Sequence, residues 1–194
     1  AHSDMDYPLF VRSAKALRPY FAAAHALGSA QRGTAPQQVF ARLRPLGIQA
    51  EQCMLRATGG VNTHKGLIFS MGLFCAAVGR LNGQAASAAE IRREAAALAR
   101  GLVHKDFAPL ALARKCLPGT VAADAAPSAA RPALEKRLRR RLTAGEVMYL
   151  LYGVTGIRGE AEQGFRHVGL ALRALAAHGA ARDLNTAMAH CLLE

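Results

Sequence analysis

No tryptophan occurs among the 194 residues, and aromatic side chains make up only 6%. A core without large rings must be closed by small side chains packed at short range, and alanine accounts for much of the 52% hydrophobic share. β-Branched residues are sparse as well. That excludes a strand-rich fold, because Val, Ile, Thr and aromatics lead in strands whereas Ala and Leu lose little on entering a helix. The composition predicts an all-α chain. Acidic residues are also few: 13 Asp and Glu against 25 Lys and Arg, a net charge of +12. Such a balance draws polyanions and leaves nucleic acid, anionic membrane and polyphosphorylated metabolites all open. There is no C-x-x-C pair. Cys53, Cys75, Cys116 and Cys191 are scattered in or beside apolar helical patterns, so buried free thiols in a reducing cytoplasm are expected. Long apolar runs are missing too. The one from Gly66 to Leu81 is too short to cross a bilayer and carries Arg80 at its end, so a buried helix is expected there, and no secretory leader is expected.

What is present reads as a series of helices. Asp6 suits the cap of a first helix starting at Tyr7-Pro8, with Phe10, Ala14, Leu17, Phe21 and Ala24 on one face, a kink at Pro19 and an end near Gly28. Thr34 and Pro36 open a second helix, expected to break around Pro45-Leu46-Gly47 and resume through Leu55 before Gly59 and Gly60 stop it. From about 66 to 82 the apolar residues point all round, the mark of a buried helix at the centre of a bundle. Ser87 with Glu90 and Thr143 with Glu146 are capping boxes, and Asp106 is the expected cap of a short helix around Leu110. Residues 118–132 are rich in Ala and Pro and read as a flexible loop. Helices are expected from about Glu160 to His178 and from Asp183 onward. The loop is flanked by helices on both sides, so residues 1–194 are expected to form a single multi-helix bundle.

Three polar stretches interrupt this scaffold. In "TGGVNTHKG", Gly59 and Gly60 let the backbone turn tightly ahead of the central helix, whose first amides and positive dipole end suit an anion. Lys65 and His64 add donors there, and Asn62 and Thr63 can orient hydroxyl groups. The stretch lacks the G-x-x-x-x-G-K-[ST] spacing of a P-loop, and the plainer reading is a glycine stop followed by a polar loop. In "AHSDMD", an extended backbone would bring His2, Asp4 and Asp6 to one side. Paired carboxylates suit Mg²⁺, which also takes substrate phosphates; otherwise Asp6 is a cap and Asp4 is solvated. In "GIRGEAEQGF", Arg158 can fork onto phosphate and Glu160 can bind metal or accept a proton. Arg137, Arg139, Arg140 and Arg141 read as a solvated or phosphate-steering face.

Taken in order, "AHSDMD", "TGGVNTHKG" and "YGVTGIRGEAEQGF" closely resemble the triphosphoribosyl-dephospho-coenzyme A synthase family. The resemblance covers most of the chain, weakest over the Ala/Pro and polyarginine region. It corresponds to a central portion of family members, which carry a helix and a Gly/Pro-rich stretch upstream and a further helix with an Asp-Thr-Asn motif downstream. It implies an all-α transferase that takes ATP and 3′-dephospho-coenzyme A, releases adenine, and joins the triphosphoribosyl group to the acceptor's 2′-hydroxyl. The product is the prosthetic-group precursor for the acyl carrier subunit of citrate lyase or malonate decarboxylase, with the latter slightly favoured, and a separate transferase attaches it.

On this resemblance the expected roles are as follows. Gly59, Gly60, Asn62, Thr63, His64, Lys65 and Arg158 bind the nucleotide and its phosphates. Asp4, Asp6 and Glu160 hold Mg²⁺. Glu160, His64 and Asp6 are the catalytic candidates, Glu160 as metal ligand or base and His64 as the proton or hydrogen-bond donor to adenine. The partners implied are small nucleotides and, indirectly, the acyl carrier subunit, without membrane or nucleic acid. The rival reading is a non-catalytic basic helical protein, binding nucleic acid or acting as an assembly surface. Against it stand basic residues that are spread out and stacking aromatics that are few.

Overall fold

Asp6 adopts an extended backbone and its carboxylate accepts the amide of Leu9 at 2.7 Å, which starts α1 (Tyr7–Ala30) with Pro8 in the first turn. The structure is a computed structural model describing residues 5–81, 86–116 and 126–177. Among these every regular element is a helix, so the fold class is all-α: α2 (Pro36–Ala57), α3 (Lys65–Arg80), α4 (Ala88–Ala99), α5 (Leu102–Lys115), α6 (Pro127–Leu138), α7 (Ala144–Tyr152), α8 (Gly156–Glu162) and α9 (Arg166–Ala177). They group into two compact units. The first takes α1–α4 and α9, the second α5–α8 between Arg100 and Glu162.

In the first unit α3 packs on α1, α2 and α4. The buried face of α1 runs Ser13, Leu17, Tyr20, Ala24, Gly28; it shares Leu17 and Ala24 with the predicted face but turns Phe10 outward, 42% exposed. Small residues bring α1 and α3 together. A Cβ on Gly28 would lie 2.9 Å from the carbonyl carbon of Ala76, one on Gly79 2.9 Å from the amide nitrogen of Ser29, and one on Gly72 2.9 Å from Cζ of Tyr20. Gly28 and Gly79 are therefore points of backbone approach, and Gly72 makes room for the Tyr20 ring. Tyr20 donates to the carbonyl of Ile68 at 3.1 Å; burial, with Cys75 nearby, pushes its phenol up to about 12. Pairings of Ser13 with His64, Tyr20 with Gly72 and Gly28 with Ala76 advance together, so α1 and α3 run parallel with both N-termini at one end.

Arg80 clamps the other end of the first unit. It donates to the carbonyls of Gln31 (2.5 Å) and Thr34 (2.9 Å), pairs with Glu94, and leaves only 9% of its side chain exposed. α3 is the central helix as expected, but its apolar surface is not covered all round. Leu67 and Met71, one turn apart, remain 40% and 38% exposed. Phe165 closes this unit, 1% exposed and with its ring centroid 4.4 Å from that of Phe74. Arg92 accompanies it by donating to the carbonyl of Gly164 at 2.8 Å.

The second unit packs α7 on α5 and α6, with α8 beside α5 and α7. Its core joins Phe107, Leu110, Ala130, Leu134, Leu142, Val147 and Leu150.

Both predicted capping boxes form, Ser87 with Glu90 and Thr143 with Glu146. Several predicted boundaries do not. α2 is unbroken through Pro45, since a proline removes one hydrogen bond while the contacts of α2 with α1, α3 and α4 hold the rest. It does open at Pro36, as expected, behind Ala35, and the Thr34 hydroxyl goes to Gln31. Asp106 lies inside α5, which starts after the left-handed Gly101. The helix expected from Glu160 to His178 is two helices, parted by Gly164 (φ 73°) and Phe165 (φ 52°). Residues 127–132 of the expected loop open α6 instead: Pro127 presets the first turn, alanines favour the helix, and Ala130 and Leu134 are buried. Residues 118–125 of that loop, and the helix expected from Asp183, lie outside the described residues.

Among the cysteines, Cys116 is exposed, and Cys53 and Cys75 are half-buried rather than sealed, with burial raising the Cys75 thiol; Cys191 is outside the description. No helix among the described residues is long and apolar enough to cross a membrane.

Candidate functional site

The loop between α2 and α3 is built by its own sequence. Thr58 closes α2, its hydroxyl lying 2.6 Å from the carbonyl of Val61 and 2.9 Å from that of Met54, with one proton to share between them. Gly59 and Gly60 then take φ of 64° and 95°, a left-handed pair that side chains resist. Asn62 turns back, its side-chain oxygen accepting the amide of Lys65 at 3.2 Å, so one of the first amides of α3 is already paired. Gly59, Gly60, Asn62, Lys65 and Gly66 are exposed, Thr63 is half-buried and His64 is buried. The loop therefore shows solvent a glycine-lined, donor-rich rim over a sealed polar centre.

That centre joins three side chains. Ser13, on α1 and 0% exposed, has its Oγ 2.5 Å from Oγ1 of Thr63 and 2.8 Å from Nδ1 of His64; Thr63 Oγ1 lies 3.0 Å from the same nitrogen. Phe10 lies against the imidazole at 4.1 Å between centroids, and the His64 amide reaches Sδ of Met54 at 3.2 Å. Burial lowers the His64 pKa from its ordinary value near 6.5, so the ring is neutral at pH 7.

Lys65 projects from the first turn of α3 and pairs with Glu51 of α2 at 2.5 Å, with 53% of its side chain exposed. Asp6 sits at the start of α1, the same end of the unit, because Phe10 and Ser13 of that helix touch His64. One Asp6 oxygen is the cap of α1, as the plainer reading held. Asp4 and His2 lie outside the described residues. Among the described residues no three His, Cys, Asp or Glu side chains assemble to hold a metal. A Mg²⁺ cage made of protein alone is thus not formed there.

Arg158 and Glu160 belong to the second unit, on α8. Arg158 donates from Nε to Asp106 at 2.7 Å and lies over the Phe107 ring at 5.5 Å. Its Nε is thereby committed to the Asp106 carboxylate. Glu160 is half-buried. Nearby, Glu162 caps α5 by accepting the Val103 amide at 2.7 Å. The basic run is exposed at Arg137, Arg139, Arg140 and Arg141, a solvated face as expected, on which Arg137 donates to the carbonyl of Cys116, Arg140 pairs with Glu146 at 2.7 Å, and Arg141 faces Glu135 at 3.8 Å.

Ser13 is the residue that sequence reading missed. Its only signal was a hydroxyl on the inward face of an apolar helix, and its partners lie 50 and 51 positions away.

A family model described as ATP:dephospho-CoA triphosphoribosyl transferase matches residues 1–194. The chain is 37% identical over 199 aligned residues to a probable 2-(5''-triphosphoribosyl)-3'-dephosphocoenzyme-A synthase of Citrobacter koseri, a match covering 100% of the chain and 56% of that relative. It is 36% identical over 170 residues to a probable 2-(5''-triphosphoribosyl)-3'-dephosphocoenzyme-A synthase 1 of Salmonella typhi, covering 87% of the chain and 47% of the relative. The chain thus spans about half the length of these curated relatives. No solved structure matches it. A match from the first residue to the last, with the glycine-turned loop and its polar centre inside it, means that the chain belongs to the ATP:dephospho-CoA triphosphoribosyl transferase family.

Proposed function

We propose that the chain takes part in transfer of the triphosphoribosyl group of ATP to the 2′-hydroxyl of 3′-dephospho-coenzyme A. The bond from ribose C1 to adenine breaks, a bond from C1 to the acceptor oxygen forms, and the hydroxyl proton ends on adenine. The family match over residues 1–194 is the observation that carries this reading. The excess of 25 basic over 13 acidic residues supports it, since both substrates are polyphosphates.

The roles follow from the chemistry of each group. Asn62, Thr63 and Lys65, on the rim turned by Gly59 and Gly60, bind triphosphate and sugar. The exposed Lys65–Glu51 pair contributes little to stability, so the ammonium is available to an incoming phosphate at small cost. Departure of adenine builds positive charge on the sugar, and the base needs a hydrogen bond as it leaves. Neutral His64 is the donor in this reading. Asp6, with Asp4, is assigned to Mg²⁺, which arrives on the triphosphate and normally takes one or two carboxylates besides. In the second unit the candidates for the same chemistry are Arg158, for phosphate, and Glu160, as base or cation ligand. The product is assigned as the prosthetic-group precursor for the acyl carrier subunit of citrate lyase or malonate decarboxylase.

Incubation with ATP, Mg²⁺ and dephospho-coenzyme A, followed by mass spectrometry, tests the proposal. Free adenine and an enlarged coenzyme are expected in equal amounts. Adenine no higher than in the protein-free control refutes it.

A further inference from the structure

Ser13, Thr63 and His64 make a closed triangle whose protons can be counted. The two hydroxyls carry one proton each, and Nδ1 of a neutral imidazole either accepts or donates. If Nδ1 accepts, Thr63 donates to Ser13 across 2.5 Å and Ser13 donates to Nδ1 across 2.8 Å, which uses the two shortest edges and leaves no proton over. If Nδ1 donates, it can accept nothing, and three protons are left with two oxygens as acceptors. One hydroxyl proton is then expelled, and neither Ser13 nor Thr63 has a further acceptor among the described residues. A proton expelled from Ser13, 0% exposed, meets no water, and one expelled from half-buried Thr63 must leave the triangle for solvent, so only an accepting Nδ1 closes the network on itself.

The other ring nitrogen supplies the second half. Every sealed side-chain nitrogen or oxygen among the described residues has a hydrogen-bond partner. Nε2 of His64 has none there, so that nitrogen is not sealed from solvent although the residue is only 5% exposed.

We propose that Thr63 and Ser13 form a two-hydroxyl relay into Nδ1 that fixes His64 as its Nε2–H tautomer and turns a single N–H donor outward. Ser13 is thereby a positioning residue, acting through His64 from a helix 51 positions earlier. His64 in this form gives a hydrogen bond and takes no proton, so the base of the reaction is another group. The tautomer stands on the triangle alone; its use, donation to the departing adenine, rests on the proposed transfer reaction.

Long-range ¹H–¹⁵N correlation on the ¹⁵N-labelled chain at pH 7 reads both ring nitrogens. His64 is assigned among the seven histidines by loss of its signals in His64→Gln. A pyridine-like Nδ1 with a pyrrole-like Nε2 is expected, and Thr63→Ser retains it. Ser13→Ala combined with Thr63→Val, checked for retained helicity by circular dichroism, removes both hydroxyls and gives averaged shifts. A protonated Nδ1 in the native chain, or a single unchanged tautomer in the double variant, overturns the relay. In the adenine-release assay the double variant lowers kcat by roughly a hundredfold, the low end for loss of a preorganised hydrogen-bond donor, whatever loss of the Thr63 hydroxyl from the rim does to the KM for ATP. A rise in KM at constant kcat overturns the positioning role. Absence of adenine release by the native chain sinks the transfer reaction and leaves the tautomer to be decided by the spectra.

Discussion

Replacing Gly28 by alanine pits two known effects against each other at one atom. In a helix interior alanine is favoured over glycine by about 1 kcal/mol, so propensity alone predicts a more stable protein. The structure predicts the reverse. The new methyl would stand 2.9 Å from the carbonyl carbon of Ala76 and 3.0 Å from its Cα, where carbon atoms prefer roughly 3.5–4.0 Å. The obstacle is backbone, so no rotamer relieves it. α1 must retreat from α3 by about half an ångström or more, which loosens Leu17, Ala24, Leu73 and Ala76, all 0% exposed. Overpacking of this kind costs about 1–3 kcal/mol, sometimes more, which outweighs the propensity gain at the upper end of that range. Gly66→Ala is the control: it lies in the first turn of α3 with nothing within 4 Å of a Cβ. Thermal melts by circular dichroism are the assay. Gly28→Ala is expected to lower Tm by several degrees, at roughly 2–4 °C per kcal/mol for a chain of this size, and Gly66→Ala to leave it level or slightly raised. A Gly28→Ala protein at least as stable as the native chain would show that α1 and α3 are not in backbone contact there.

Two further outcomes follow from the same geometry. Because burial lowers the folded-state pKa of His64, the unfolded chain binds more protons between that value and the ordinary value near 6.5, so stability rises with pH in that window. Denaturant melts should lose stability as pH falls below about 6.5, and His64→Gln should flatten that slope; an equal slope in both proteins removes His64 as its source. Glu146, which burial alone would raise but which Arg140 and Thr143 hold low, contributes further down the scale, as its carboxylate titrates. Lys65→Ala should change stability by no more than about 0.5 kcal/mol, since its ion pair with Glu51 is exposed. It should weaken ATP about tenfold, equivalent to about 1.4 kcal/mol; unchanged ATP affinity in equilibrium binding takes Lys65 out of the site.

Local chemistry was legible in the sequence wherever it sufficed. Ser87 and Glu90, three residues apart, make a box that needs no tertiary partner, and Asp6 caps α1 on the same terms. Failures fell where distant packing overrode a local rule. Pro45 looked like a break, yet α2 runs through it between its neighbours. Phe165 sits at a φ of 52°, a conformation bulky residues avoid, because its ring is needed against Phe74. The site divides the same way. The turn at Gly59 and Gly60 and the donors on the rim were readable from one short string. Ser13 was not, since a serine on an apolar face acquires meaning only from the two side chains that the fold delivers to it.

Phe165 also bears on how the first unit comes into being. The chain leaves that unit after Ala99 and rejoins it at Gln163, with the whole second unit spelled out between. Phe74, on the central helix, is synthesised long before its ring partner. Until Phe165 emerges from the ribosome, the nascent first unit carries an aromatic-sized gap beside α3 and an Arg92 still waiting for the carbonyl of Gly164. Completion of the unit that holds the glycine-turned loop is therefore coupled in time to production of the insertion, and a transcript cut short within the insertion would yield a first unit that never closes.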